Sequence, residues 1–306
     1  MSEDFAGFTG SAVLTPGKVP ARPRGQRSGR ALLGLLPFAI YTALFLGAPT
    51  VAIAVGALTD PETGAFTHRN LGIAFSGIYV QGLVTSLELS VLTAVVPAVL
   101  GLALAYAVQT SGSPVLQRAV STASGVFANF GGVPLAFLFI ATLGSSGLVV
   151  GWLKAIGFDP YDHGFSLYTF LGIAIVYLYF QIPLMVLVIT PALEGLRPAW
   201  REAAHNLGAS SWQYWRLVGG PVLAPSFIGA ILLLFGGAFS AYATAEALTS
   251  GSLAITPIQI GSFLNGNVLS GQENVGMALG LAMVVIIAVV MVFYALLQRR
   301  ASRWLQ

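Results

Sequence analysis

Six long apolar stretches constrain the fold that this sequence can adopt. A helix needs about 20 predominantly apolar residues to cross a hydrocarbon core about 30 Å thick, where backbone polar groups find no water. Only 8% of the residues are charged and 56% are hydrophobic. The charged residues are too few to cover the water-facing surface of a soluble domain. The sequence therefore predicts an all-α integral membrane protein with six transmembrane helices. The stretches are approximately 31–58, 83–108, 121–143, 167–191, 222–247 and 275–298.

The positions of Lys and Arg predict how these spans are oriented. Cytoplasmic flanks of membrane proteins retain positive charge. With the N-terminus inside, all of the 14 Lys and Arg residues except Arg69 and Lys154 fall on the cytoplasmic side. We therefore expect both termini in the cytoplasm. The pI of about 9.3 then reflects topology and requires no nucleic-acid partner.

Charge and hydropathy also predict how the chain is divided. We expect a flexible basic cytoplasmic tail over 1–30, a six-span domain over 31–298 and a cytoplasmic C-terminal tail over 299–306. A signal peptide has an apolar region of about 7–15 residues, and the first apolar stretch is much longer, so we expect an uncleaved first span. The basic tail is expected to touch anionic lipid head groups. Within the domain, 192–221 is a long cytoplasmic segment between spans four and five.

Several kinds of chemistry are disfavoured by the sequence. It has no Cys, which excludes disulfides, thiolate metal sites and a Cys nucleophile. It has no phosphate-binding loop of the Gly-x-x-x-x-Gly-Lys-Ser/Thr type. Two acids and one His, at Asp159, Asp162 and His163, are better explained as a solvated loop than as a metal site. We therefore expect no enzyme activity, no metal site and no cofactor bound by this chain.

The cytoplasmic segment 192–221 contains the signals of two helices joined by a bend. Pro198 suits the first turn of a helix, and Gly208 can adopt the left-handed conformation that closes it. Ser210 then begins a second helix, and Gln213 completes the pattern of a capping box. By themselves these residues fit either an amphipathic hairpin at the membrane interface or an elbow on which another protein docks.

A set of positions spaced across this elbow carries a resemblance to a known family. The positions are Glu202, Ala203, Ala204, Leu207, Gly208, Ala209, Ser210, Trp215, Val218, Pro221 and Pro225. They resemble the EAA motif of binding-protein-dependent ABC importer permeases, in the branch that includes polyamine, iron and phosphonate systems. One departure is Gly220, where the family usually has Leu or a similar apolar residue.

The resemblance implies a type I ABC importer permease fold in a bacterial-type cytoplasmic (plasma) membrane. It implies that a second, homologous permease subunit completes the solute pathway and that an extracytoplasmic protein delivers the solute. ATP and Mg would bind to separate ATP-binding cassette subunits, which would dock on the elbow as a coupling helix. By the same resemblance, the ATPase-coupling residues are Glu202, Ala203, Ala204, Leu207, Gly208, Ala209 and Ser210.

Three polar residues inside the predicted spans are candidates for lining the pathway: Glu88, Asn129 and Gln181. An ionisable residue within a span is costly and usually functional. Glu88 could instead stay hydrated near the interface, and the Gly and Pro residues beside the two amides also fit helix packing. Glu88 favours a cationic, polyamine-like solute. An ion-coupled secondary transporter is the alternative function, and it would carry ion ligands in broken central helices.

Overall fold

The computed structural model describes residues 29–266 and 272–302, with side chains described from 34 to 296 outside the same gap. Residues 1–28 of the predicted basic tail and residues 303–306 of the predicted C-terminal tail therefore lie outside the described residues. The chain divides into two compact units, Met1–Pro49 and Thr50–Gln306.

The first unit contains helix α1, Gly29–Thr42, and a π-helical turn, Ala43–Gly47. Helix α2, Ala48–Ala57, begins at its end. The remaining helices belong to the second unit. They are α3 Arg69–Ala74, α4 Gly77–Thr110, α5 Pro114–Asn129, α6 Gly132–Leu143, α7 Leu148–Ala155, α8 Phe170–Glu194, α9 Pro198–Asn206, α10 Ser211–Tyr214, α11 Gly220–Ser240, α12 Ala243–Thr249, α13 Thr256–Leu264 and α14 Val275–Ser302. A second π-helical turn, Trp215–Gly219, joins α10 to α11.

Six segments of the described chain are long and apolar enough to cross a membrane, as the sequence predicts. They are Gly34–Ala57, Gly77–Thr110, Gly132–Ala155, Phe170–Glu194, Ser211–Ser240 and Val275–Leu296. Helix α4 alone has 34 residues, about 51 Å at 1.5 Å per residue, so it is longer than a bilayer core requires. The prediction of an all-helical six-span chain is confirmed.

Helices α4 and α8 form the centre of the second unit and run in the same direction. A Cβ atom at Gly101 would lie 2.6 Å from Cβ of Met185, so the two helices approach closely where α4 has no side chain. Two turns further on, Gln109 Nε2 donates to Glu194 Oε1 at 3.1 Å. Helix α11 packs against both. Fully buried side chains between these helices include Leu89, Tyr177, Met185, Ile189, Leu234 and Phe239.

The predicted third and fifth spans are each interrupted. The predicted third span, 121–143, is divided at Phe130 and Gly131, between α5 and α6, and the apolar segment of the structure begins instead at Gly132, which has a φ of +72°. Helix α6 has 12 residues, about 18 Å, which is too short to cross the core alone. The predicted fifth span, 222–247, is divided at Ala241 and Tyr242, before α12, and the apolar segment of the structure ends at Ser240. The hydropathy of the sequence did not reveal these interruptions.

Candidate functional site

The elbow predicted from segment 192–221 is present and closes through backbone hydrogen bonds. Gly208 follows the end of α9 with a φ of +79°. Its N–H donates to the carbonyl of His205 at 2.9 Å, and the N–H of Ala209 donates to that of Ala204, also at 2.9 Å. These two bonds form a Schellman motif, which satisfies carbonyls left free at a helix end. Two of the predicted coupling residues, Gly208 and Ala209, thus shape the bend through their backbones.

The start of the second elbow helix is fixed by a capping box, as predicted. The N–H of Ser210 donates to Oε1 of Gln213 at 2.7 Å, and the N–H of Gln213 donates to Oγ of Ser210 at 3.3 Å. The box satisfies two backbone donors that the short helix α10 leaves unpaired. The bend is consequently held on both sides of Gly208, and its shape is defined by residues that are close in sequence.

The elbow projects the remaining motif residues outward. The side chain of Leu207 is 88% exposed at the bend, and Glu202 and Ala203 are also exposed. A cavity of about 330 Å³ lies between α9 and α10, with Glu202 and His205 in its wall. Within the described chain, the Glu202 carboxylate has no hydrogen bond or ion pair that would occupy it. An exposed Leu and a free carboxylate on a rigid bend suit contact with another protein.

The chain returns from the elbow to the bundle through the π-helical turn Trp215–Gly219. The N–H of Gly220 donates to the carbonyl of Trp215, a bond one residue longer than that of an α-helix. A Cβ atom at Gly220 would lie 2.5 Å from this carbonyl oxygen. At Gly219 a Cβ atom would lie 2.9 Å from the Trp215 ring. The departure from the motif at Gly220 therefore matches a local backbone geometry that leaves no room for a side chain.

Of the three candidate pathway residues, Glu88 and Asn129 are exposed on the subunit surface. Glu88 lies on a face of α4 otherwise lined by exposed Val84, Val91 and Val95. A carboxylate on such an apolar face avoids lipid and turns toward water or a protein partner. Asn129 ends α5, and its Nδ2 donates to the carbonyl of Gly125 at 2.8 Å.

Gln181 differs from the other two because it is completely buried in α8. Neither its Nε2 nor its Oε1 has a hydrogen-bond partner among the described residues. A buried amide without partners is costly, so such a group in a membrane bundle invites a functional explanation. The structure thus does not bring the three candidates together on one surface of the isolated subunit, and their role in a pathway remains a prediction.

The structure reveals a contact between the two interrupted spans that the sequence did not indicate. The N–H of Gly132 donates to Oγ1 of Thr244 at 2.9 Å, and Oγ1 of Thr244 donates to the carbonyl of Gly132 at 3.3 Å. The hydroxyl of buried Tyr177 donates to the carbonyl of Ala241 at 3.2 Å. Backbone groups freed by the interruptions are therefore satisfied inside the protein, as a membrane requires. In the sequence, the Gly131-Gly132 pair signals an interruption of the helix, but nothing in the sequence identifies Thr244 as its hydrogen-bond partner.

The segment between α7 and α8 is ordered by local polar contacts. Nζ of Lys154 lies 2.9 Å from Oδ2 of Asp159. This hydrogen bond lowers the pKa of Asp159, whereas burial raises the pKa of Tyr161, whose hydroxyl donates to the carbonyl of Leu143. Nδ1 of His163 donates to the carbonyl of Asp159 at 2.7 Å. Over the ranges described, no three potential metal-ligating side chains come together.

Comparisons with known proteins place this architecture in a family. The family described as "Binding-protein-dependent transport system inner membrane component" matches residues 98–303. The sulfate transport system permease protein CysT of Escherichia coli (strain K12) is 41% identical over 68 residues, 22% of this chain and 24% of that protein. The putative ferric transport system permease protein FbpB 1 of Haemophilus influenzae is 26% identical over 270 residues, 87% of this chain and 41% of that protein. The matched region thus spans less than half the length of either relative.

Solved structures share the fold. A bacterial ABC transporter involved in the import of the acidic polysaccharide alginate aligns with a TM-score of 0.69 at 19% identity, covering 89% of this chain and 96% of that chain. A bacterial alginate ABC transporter in complex with an alginate pentasaccharide-bound periplasmic protein gives the same TM-score at 20% identity, covering 89% and 95%. The predicted importer permease fold is therefore confirmed. With the family match over most of the chain, these findings show that the chain belongs to the family of binding-protein-dependent transport system inner membrane components.

Proposed function

We propose that this chain is the permease subunit of an ATP-powered importer for a small solute. It forms the pathway with a second, homologous permease subunit and receives solute from an extracytoplasmic binding protein. ATP and Mg bind to separate ATPase subunits and not to this chain. Family membership supports the proposal, and the observation that carries it is the projecting elbow, with its exposed Leu207 and with a Glu202 that has no ion-pair partner among the described residues.

The elbow has the mechanical properties that coupling to an ATPase requires. The Schellman motif and the capping box hold the bend at Gly208 from both sides. Through the π-helical turn, the elbow continues into α11, a helix of 21 residues that crosses the bundle. In the proposed cycle, closure of two ATPase subunits moves the elbow, and α11 carries this displacement to the pathway.

The proposed orientation has both termini and the elbow on the cytoplasmic side. The distribution of Lys and Arg supports it, because Arg118, Arg197, Arg201 and Arg216 all fall on the elbow side of the bundle. Insertion of a protease site after Gly164, in the segment on the other side, tests the orientation. Cleavage by protease added to intact cells is expected, whereas cleavage only after cell lysis would reverse it.

For the substrate we propose a small cationic solute of the polyamine class. The relatives are named for sulfate and for ferric ion, and the solved structures for alginate, so their names do not share one substrate class. The support comes from Glu88, an exposed carboxylate on an apolar face. Separate uptake measurements with radiolabelled putrescine and with radiolabelled sulfate test this choice. Uptake of sulfate and not of putrescine would refute it.

Co-purification from the native host tests the proposed function. Tagged chain solubilised in mild detergent is expected to retain an ATPase subunit, and Glu202→Lys is expected to release it. Glu62→Lys is the matched control, because it makes the same charge change at an exposed residue far along the chain from the elbow. Absence of any ATPase with the unmodified chain, or equal retention by both variants, would contradict the proposal.

An ion-coupled carrier is the second candidate, because the structure does contain interrupted central spans. However, Thr244 and Tyr177 already satisfy backbone groups at the interruptions. Uptake in cells treated with an ionophore distinguishes the two functions. An ATP-driven importer is expected to continue while cellular ATP is maintained, whereas immediate loss of uptake with ATP unchanged would favour the carrier.

A further inference from the structure

A second cavity lies on the bundle side of the elbow, where several helices end. Its volume is about 340 Å³, and it is bounded by the ends of α4 and α8, the first turn of α9, the end of α10 and the start of the π-helical turn. We call it the Arg197–Arg201 cavity, after the two cationic side chains in its wall. Its remaining polar lining includes Gln109 and Glu194.

The two arginines are available to a ligand. In the part of the chain that the structure describes, neither guanidinium group has an ion pair or a hydrogen bond, and Arg197 stacks over the Trp200 ring at 5.9 Å. The carboxylate in the wall, Glu194, is engaged through Oε1 by Gln109 Nε2 at 3.1 Å. Two cations facing one partly occupied carboxylate leave a net positive cavity, and guanidinium groups match phosphate geometry well.

The opposite wall is aromatic. Trp215 contacts Tyr106 edge to face with ring centroids 5.4 Å apart, and it contacts Tyr214 at 5.7 Å. The hydroxyl of Tyr214 has no hydrogen-bond partner among the described residues and is free to donate. The cavity therefore combines cations and a hydroxyl donor with an apolar surface, which suits an anion attached to an apolar body.

The depth of the cavity indicates where such an anion comes from. The apolar segments Gly77–Thr110 and Phe170–Glu194 both end at its wall. The cavity thus lies where the hydrocarbon core gives way to the head-group layer, a level at which Trp and Tyr concentrate. Nearby, Trp212 in α10 is 73% exposed and Leu217 in the π-helical turn is 71% exposed. Both side chains fit insertion into the same layer.

We propose that the Arg197–Arg201 cavity binds the phosphate group of an anionic phospholipid. Arg197 and Arg201 bind the phosphate oxygens, Tyr214 donates a hydrogen bond, and the glycerol and first acyl carbons lie against Trp215 and Tyr106. The cavity shares Pro198, Arg201 and Tyr214 with the cavity between α9 and α10, but Arg197, Tyr106 and Trp215 line this cavity and not the one between α9 and α10. Free phosphate shares the same chemistry, and the test separates the two sources.

Native mass spectrometry of the full-length chain tests the site, with phosphatidylglycerol and phosphatidylcholine supplied in equal amounts. Preferential retention of phosphatidylglycerol is expected. Each Arg near an anionic lipid contributes about a factor of five in affinity, so Arg197→Gln with Arg201→Gln should weaken retention roughly 25-fold. Arg118→Gln with Arg216→Gln removes the same charge from exposed positions outside the cavity, so it weakens only the general attraction to anionic lipid and should reduce retention clearly less than the cavity pair does.

A variant with the opposite expected effect separates the site from a folding defect. Among the described residues of the cavity wall, Glu194 is the only carboxylate, and Glu194→Gln removes it while leaving an oxygen for Gln109, so retention should rise about fivefold. Equal loss of lipid from both double-Arg variants, or no gain with Glu194→Gln, would overturn the proposal. Displacement of phosphatidylglycerol by millimolar inorganic phosphate would overturn the lipid as occupant and assign the cavity to a soluble phosphate.

Discussion

The hydroxyl of Thr244 binds both backbone polar groups of Gly132, at 2.9 Å to the nitrogen and 3.3 Å to the oxygen. The two residues are 112 positions apart, each beside the interruption of a different span. A single side chain thereby joins α12 to the start of α6. This contact is the clearest example of a tertiary feature on which both interrupted spans depend.

Replacement of Thr244 by Val should destabilise the protein. The substitution leaves the N–H of the half-buried Gly132 without this partner, which costs about 1 kcal/mol. We expect a lower midpoint of thermal unfolding in detergent. Thr93→Val is the control, since this buried hydroxyl donates only to the carbonyl of Leu89 in its own helix. Equal losses in the two variants would show that the contact with Gly132 contributes nothing specific.

Replacement of Gln181 by Leu should stabilise the packing of this structure. The amide is fully buried without partners, a cost of about 1–3 kcal/mol that Leu of similar size removes. The thermal midpoint is expected to rise while solute uptake slows, because the amide would serve a different state of the transport cycle. Higher stability with unchanged uptake would instead remove Gln181 from the pathway candidates.

Substitutions at Gly208 test whether docking of the ATPase depends on the backbone conformation of the bend. A Cβ atom there would meet nothing within 4 Å, but the φ of +79° is unfavourable for side chains. Gly208→Ala should therefore destabilise the bend by about 1–2 kcal/mol, and Gly208→Asn less, because Asn tolerates this conformation. We expect ATPase retention to decrease from Gly to Asn to Ala. A different order would mean that the conformation of residue 208 does not govern docking.

Gly220 offers a test of the π-helical turn. In Gly220→Ala, the new Cβ atom would lie 2.5 Å from the carbonyl oxygen of Trp215, so the turn must shift at a cost of about 1–3 kcal/mol. Gly236→Ala in the same helix is the control, because a Cβ there meets nothing within 4 Å. The control should be neutral or slightly stabilising. A thermal midpoint that falls equally in both variants would argue against a constrained turn.

The turn after α2 should loosen at low pH. Asp60 accepts hydrogen bonds from the backbone of Thr63 and Glu62, and these bonds lower its pKa. A depressed pKa means that the stabilisation is complete above the ordinary Asp value and is lost as pH falls through the lower folded value. Hydrogen exchange should show loss of protection at Thr63 in that acidic range, and Asp60→Asn should remove the pH dependence. Unchanged protection across the range would contradict the assignment.

The sequence by itself determined the six apolar segments and the form of the elbow. Apolar runs of this length leave few alternatives to membrane helices, because backbone groups must be satisfied within each segment. The bend depends on Gly208, Ser210 and Gln213, whose interactions reach at most a few residues along the chain. Local signals of this kind can be read without knowledge of the rest of the fold.

The tertiary structure alone decided where spans three and five are interrupted and which polar residues are buried. The Gly131-Gly132 pair marks one interruption in the sequence, but the partners of the freed backbone groups, Thr244 and Tyr177, are distant along the chain and only the packing brings them there. Likewise, nothing local distinguishes buried Gln181 from exposed Asn129. Burial depends on which helices pack together, and in an apolar bundle every face of a helix is compatible with either lipid or protein.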